Sequence, residues 1–280
     1  MDIEAPSPAS VELVSQTPSA SINKYEIIGK IGRGGYSEVL KVAVKGDRDI
    51  ANFALKRTRH DTFTGIMSAI DLHEIKALQL LKDETNFLKF IELVKSDEDE
   101  FIGLILELCR ADLRAILHNH GIKLNVGHIK NMLKQYFTGV AAMHHLRIMH
   151  RDIKPANILI SNAGIIKIGD FGSSVVIDQQ SHLNPNVGTL WYRCPEFLLG
   201  CTNYDEKVDQ WTLGLLSVEF FTRDPALFKG RNNFEQMKKI CKLCGFFSDD
   251  AWPEAKETPH YYVFEKLKIH QANTLKKKNA

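Results

Sequence analysis

A chain of 280 residues, 44% of them hydrophobic, can bury a large core and is long enough for one two-lobed unit or two ordinary domains. Its 36 basic and 34 acidic residues leave a formal net charge of +2, which argues against a bulk nucleic-acid or membrane-surface role. No apolar stretch approaches the ~20 residues that span a bilayer, and the first residues carry acids and prolines where a signal peptide has basic and apolar regions. Five cysteines, an odd number, suit reduced thiols, so the expected setting is intracellular, in cytoplasm or nucleus.

Residues 1–23 are rich in Ser, Pro, Thr and Ala without periodicity and are expected to form a disordered tail. The apolar run 25–31 leads into Ile31-Gly32-Arg33-Gly34-Gly35-Tyr36-Ser37-Glu38-Val39, and a second apolar run covers 39–44. A dinucleotide-binding fold would put a helix directly after the glycines. Here β-branched residues continue, which favours a hairpin folded over phosphates. Phe53-Ala54-Leu55-Lys56 adds a strand, and Leu72, Ile75, Leu78 and Leu81 recur at helical spacing, with Glu74 one turn from Leu78 on the same side. The apolar run 101–106 reaches Leu106, and beyond Glu107-Leu108-Cys109 the character turns helical, which predicts a hinge between two lobes. Val126, Ile129, Leu133, Phe137, Val140 and His144 mark one stripe of a long helix, widened by Met132 and Tyr136. Cys241 and Cys244 form a C-x-x-C that reads as part of an apolar helix, since no second Cys or His pair lies at zinc spacing.

The densest chemistry lies in His150-Arg151-Asp152-Ile153-Lys154-Pro155-Ala156-Asn157 and, further on, Asp170-Phe171-Gly172. Such a set suits in-line phosphoryl transfer: Asp152 to accept the proton of an attacking hydroxyl, Lys154 to neutralise phosphate charge, Asn157 and Asp170 to hold magnesium. The two motifs in this order resemble the catalytic and metal-binding loops of the eukaryotic protein kinases. That resemblance implies an α+β, two-lobed fold: a small antiparallel β-sheet lobe with one helix over 24–109, and a larger, mainly helical lobe over 110–265, followed by a basic tail over 266–280. ATP and Mg2+ are the implied cofactors. Ile31 to Val39 would cover the phosphates, with Ser37 in the third glycine position making a stiffer loop. Ala54 would lie against the adenine, Lys56 on the phosphates and paired with Glu74, and Leu106 at the back of the pocket. The backbone of Glu107 and Cys109 would meet the adenine edge, and Asp112 and Leu159 would complete the nucleotide site.

The stretch Gly188-Thr189-Leu190-Trp191-Tyr192-Arg193-Cys194-Pro195-Glu196 resembles the close of the activation loop in cyclin-dependent kinases, with Cys194 in place of alanine. Val208-Asp209-Gln210-Trp211 is similar to the helix whose aspartate tethers the catalytic loop, and the segment from Phe228-Lys229-Gly230 to Trp252-Pro253 to that group's insert. Short runs such as Lys154 to Ser161 are most similar to the cell-cycle-related kinase branch, which is linked to cilium assembly. Lys154 and Thr189 imply serine/threonine substrates, and Arg193 with Val187 resembles the pairing that favours proline after the phosphorylated residue. Expected partners are proteins with Ser/Thr-Pro sites and an activating partner, cyclin-like or other.

Three departures qualify the resemblance. The activating threonine position holds Asn184, and two of the three arginines that clamp its phosphate are His73 and Val175, leaving Arg151 alone. Activation without a phosphate at that point is the expectation. Ser68 to Glu74 replaces the cyclin-binding sequence of better-known members. The last arginine is Arg231, so the family's partner for Glu196 is expected to be lacking in a shortened lobe. An enzyme is favoured by the joint presence of Lys56, Glu74, Asp152, Asn157 and Asp170. The short lobe favours the rival, a catalytically weak nucleotide-binding scaffold.

Overall fold

The computed structural model describes residues 20–33, 37–46, 53–58, 69–96, 101–177, 182–247 and 252–267. A six-stranded sheet is formed by β1 (Ala20–Ser21), β2 (Tyr25–Arg33), β3 (Ser37–Val44), β4 (Phe53–Thr58), β5 (Phe90–Ser96) and β6 (Phe101–Glu107), in the order β1-β5-β6-β4-β3-β2. All its pairings are antiparallel except that of β1 with β5. The folded chain therefore begins ahead of the boundary set from composition at residue 24. Ala20 and Ile22 find cover against the cluster of Tyr25, Leu40, Leu55 and Ile105, which the polar residues around them conceal in the sequence.

Helix α1 (Ala69–Leu80) lies between β4 and β5 in the chain and turns Ile75 and Leu78 inward, with Leu81 just beyond it, as their spacing predicts. The second lobe contains β7 (Ala111–Asp112), α2 (Leu113–Leu117), α3 (Val126–His145), β8 (Ile148–Met149), β9 (Ile158–Ile160), β10 (Ile166–Ile168), β11 (Val175–Val176), α4 (Pro195–Leu199), α5 (Lys207–Thr222), α6 (Asn233–Cys244) and α7 (Tyr261–Glu265). One apolar core joins the lobes, running from Ile75 and Leu78 through Phe87 and Phe171 to Tyr136, Leu216 and Phe220. Among the described residues, no helix is long and apolar enough to cross a membrane.

Helix α3 starts on a capping box, in which Asn125 Oδ1 accepts from His128 N at 2.8 Å. Its buried face is Ile129, Met132, Tyr136, Gly139, Val140 and Met143, while Val126 and Phe137 are exposed. The stripe inferred from the sequence was thus rotated. Gly139 contributes to the difference: it adds no apolar side chain to the pattern, yet a Cβ there would lie 3.0 Å from Ile168 Cδ1 and 3.1 Å from Asn86 Cβ, so these side chains pack against the helix backbone itself. On α6, Cys241 is buried beside Met237 and Ile240, as the apolar-helix reading expects, and burial pushes its thiol up to about 12.

Arg223 closes α5 with a left-handed backbone, φ 58°, and its guanidinium ties this helix to the turn after α2. Nε donates to Leu117 O at 2.9 Å, Nη1 to Ile122 O at 2.8 Å, and Nη2 to Ile116 O at 3.2 Å and Asn119 O at 2.6 Å. Hydrogen bonds to a charged donor are worth about 1.5–3 kcal/mol each, and here one side chain serves four carbonyls. Arg223→Ala is expected to lower stability by about 3 kcal/mol or more in urea unfolding. Arg223→Lys should recover only part of that, because an ammonium lacks the planar fork.

Candidate active site

Strand β4 presents Lys56 toward α1, and α1 turns Glu74 inward, so that the carboxylate is buried. Lys56 Nζ lies 2.8 Å from Glu74 Oε1, 2.6 Å from Glu74 Oε2 and 2.7 Å from Asp170 Oδ1. Burial works against the ammonium, but the two carboxylates outweigh it and hold Lys56 well above the usual lysine range. Burial likewise opposes charge on Asp170, and Lys56 more than offsets it, with smaller help from His150 and Lys154, leaving the carboxyl below its ordinary value. Asp170 adopts φ 62°, ψ 63°, a left-handed conformation that Asp tolerates better than most residues. Phe171 behind it is fully buried, 6.0 Å from the Phe87 ring and 4.8 Å from the His150 ring.

The loop of His150 to Asn157 hangs from α5. Asp209, buried, accepts from His150 N and Arg151 N at 2.9 Å each, and its Oδ2 lies 3.0 Å from His144 Nε2. Those bonds fix the turn in which Arg151 has φ 67°. His150 sets Nε2 3.0 Å from Gly169 O and accepts from Asp152 N at Nδ1, 3.2 Å, which assigns its proton to Nε2. Asp152 is gripped at both oxygens. Oδ1 accepts from Thr189 N at 2.7 Å and from Thr189 Oγ1 at 2.8 Å, while Lys154 Nζ donates to Oδ2 at 2.6 Å and to Thr189 Oγ1 at 2.9 Å. Asn157 Nδ2 donates to Asp152 O at 2.9 Å, and Gly169 N to Asn157 O at 2.9 Å, which stitches this loop to the Asp170 turn.

The structure thus brings Lys56, Glu74 and Asp170 together, and joins to them Asp152, Lys154, Asn157 and Thr189. Such an arrangement can orient a hydroxyl on Asp152 beside two cations. Asp170 gives only Oδ1 to Lys56, and the Asn157 amide nitrogen is the end bonded to protein, so two hard oxygens are left to suit a magnesium ion. At the predicted nucleotide site, Ala54 pairs with Leu106 across β4 and β6, Val39 with Lys56 across β3 and β4, and Leu159 with Asp112 across β9 and β7. Gly32 pairs with Val39 and Arg33 with Glu38, next to Ser37, and Ile31 is exposed. Gly34, Gly35 and Tyr36 lie outside the described residues.

Two of the inferred pocket side chains also make contacts within the protein. Glu38 is held by Lys30 at 3.0 Å and by Arg57, with Nε at 2.6 Å, and these two pull its carboxyl below the usual range. Asp112 caps α2, accepting from Ala115 N at 2.6 Å. At the hinge, Glu107 N donates to Lys89 O at 3.0 Å, and the Glu107 carboxylate takes Lys89 N at 2.8 Å and the buried Lys167 Nζ at 3.1 Å. Among the described residues no hydrogen bond engages the Cys109 backbone. Burial, aided by the charge of Glu107, pushes its thiol up to about 12. Arg193 Nε reaches Gly188 O at 3.0 Å, so its partner is the carbonyl one residue past Val187. Glu196 Oε2 is buried with no hydrogen-bond partner among the described residues. Tyr204, whose hydroxyl meets Arg151 and Asn184, carried no sequence signal, since these partners lie far away in the chain.

Residues 25–275 match the protein kinase domain family, and the chain belongs to it. Its cofactors are those of the family, ATP and Mg2+. Over 269 residues it is 33% identical to cyclin-dependent kinase 9 of Rattus norvegicus, covering 92% of this chain and 70% of that protein, which places it among the cyclin-dependent kinases. A chain of the yeast RNA Pol II CTD kinase CTDK-1 complex superposes with a TM-score of 0.80 at 31% identity, covering 96% of this chain and 85% of that one. A chain of the CAK complex of Chaetomium thermophilum bound to ATP-γ-S gives 0.76 at 30% identity, over 85% and 74% of the two chains.

Proposed function

We propose that this chain is a serine/threonine protein kinase that transfers the γ-phosphate of ATP to protein hydroxyls followed by proline. The observation that carries the reading is the assembled state of the site: Lys56 bound at once to Glu74 and Asp170, and Asp152 bound at once to Lys154 and Thr189. In this reading Asp152 takes the hydroxyl proton, Lys154 offsets charge on the moving phosphoryl group, and Thr189 holds both in place. Lys56, aligned by Glu74, orients the phosphates of ATP, while Asn157 and Asp170 would ligate Mg2+. The ion supplies charge neutralisation at the phosphates. In this reading residues up to 109, from the strand at Ala20–Ser21 on, belong to the nucleotide lobe, and 110–265 to the substrate lobe.

Proline direction rests on Gly188. Its left-handed backbone, φ 75°, turns its carbonyl onto Arg193, and any Cβ would meet Arg151 O at 2.6 Å. A substrate residue passing this point finds that acceptor already used, so its N–H goes unpaired; proline has no N–H to lose. Paired peptides differing only in Ser-Pro against Ser-Ala test this. A preference of about tenfold or more for Ser-Pro is expected, shrinking in Arg193→Ala; equal rates would remove the proline assignment.

An activating partner, cyclin-like or other, is part of the proposal, supported by the two solved neighbours, both taken from complexes. The five cysteines, all free, suit an intracellular setting. Support for a cell-cycle or cilium role is the motif likeness alone, whereas the relatives compared are cyclin-dependent kinase 9 proteins.

A further inference from the structure

The guanidinium of Arg151 sits between the two ends of the segment that follows Asp170. Its Nε donates to Ser173 O at 2.7 Å and its Nη1 to the Tyr204 hydroxyl at 2.9 Å. Tyr204 in turn donates from that hydroxyl to Asn184 O at 2.8 Å. On the other side, His73 Nδ1 of α1 lies 3.1 Å from Ser174 O. Every acceptor in this relay is a neutral backbone or phenolic oxygen, and among the described residues no carboxylate pairs with Arg151. The Tyr204 ring is seated independently, edge-on to Phe197 with centroids 5.0 Å apart, and packs with Met149, Cys194 and Val208.

We propose that Tyr204 is a positioning residue: its hydroxyl fastens the stretch around Asn184 to the catalytic loop through Arg151, so that the segment is ordered without any phosphate on it. The proposal rests on the kinase reading for its purpose. The bonds themselves do not. A hydroxyl suits the place because it accepts from the cation with one lone pair and donates its proton onward, so that one side chain bridges Arg151 and the Asn184 carbonyl. A carboxylate there would satisfy Arg151 and then repel the Asn184 carbonyl. Phenylalanine keeps the ring packing and loses only the relay.

The test compares wild type with Tyr204→Phe by hydrogen exchange, read peptide by peptide, with circular dichroism as the check on folding. Amides over 183–188 should exchange about tenfold faster in the variant, while those of α3 and α5 stay within about twofold. If the wild type transfers phosphate, kcat should fall about tenfold with KM for ATP unchanged, and Tyr204→Phe with Asn184→Glu, which offers Arg151 a carboxylate, should regain part of it. Unchanged exchange over 183–188 overturns the proposal whether or not the chain is active. So does a phosphorylated residue between Gly172 and Thr189 whose removal by phosphatase loosens the same amides in wild type. An inactive wild type with a Tyr204-dependent segment would instead count against the kinase reading alone.

Discussion

Asp152→Asn is expected to cut phosphoryl transfer by about 10²–10⁴-fold while leaving ATP affinity within about twofold. The carboxylate sits among four donors, Thr189 N, Thr189 Oγ1, Lys154 Nζ and, at 3.5 Å, Asn157 Nδ2, and among the described residues it makes no hydrogen bond to the strand that carries Lys56. An amide in its place has no basicity toward a hydroxyl proton, and its Nδ2 would face a donor it cannot bond. The change therefore strikes the proton and its geometry and spares the nucleotide lobe. Single-turnover transfer and a nucleotide titration separate the two effects. Activity within tenfold of wild type would show that Asp152 is not the base.

Lys56→Met is expected to lower turnover by about 10²-fold or more, with nucleotide binding weakened much less. Lys56 is the cation shared by Glu74 and Asp170, and its removal leaves the two carboxylates without the charge that draws α1 and the Asp170 turn together. Methionine fills a similar volume and can donate nothing. Turnover equal to wild type would mean that the Lys56–Glu74 contact has no part in transfer.

Much of this site was legible in the sequence, because its chemistry is compressed into short runs. His150 to Asn157 and Asp170 to Gly172 carry residue types that only a charged phosphate chemistry explains together, and their order with Lys56 and Glu74 fixed which lobe held which. What escaped depends on distance or on missing side chains. The relay from Arg151 to Tyr204 to Asn184 spans 53 residues and then 20, so no local pattern announces it. Arg223 reads as a charged residue after a helix, yet it serves carbonyls more than a hundred residues back. Gly139 hid part of the buried face of α3 because a glycine adds nothing to an apolar stripe while permitting a close approach. Glu38 and Asp112 were assigned to the nucleotide by position in a motif, and their bonds to neighbouring charges and to a helix end were not visible there.

The most direct measurement is transfer of label from γ-labelled ATP to a pool of proline-directed peptides by the purified chain with Mg2+, alone and supplemented with cell extract, followed by phosphoamino-acid analysis. Label on serine or threonine in at least one of the two conditions, and none above background from Asp152→Asn prepared identically, is the expected result. A chain that binds ATP but transfers no phosphate in either condition would contradict it, and would leave a nucleotide-binding scaffold as the better description.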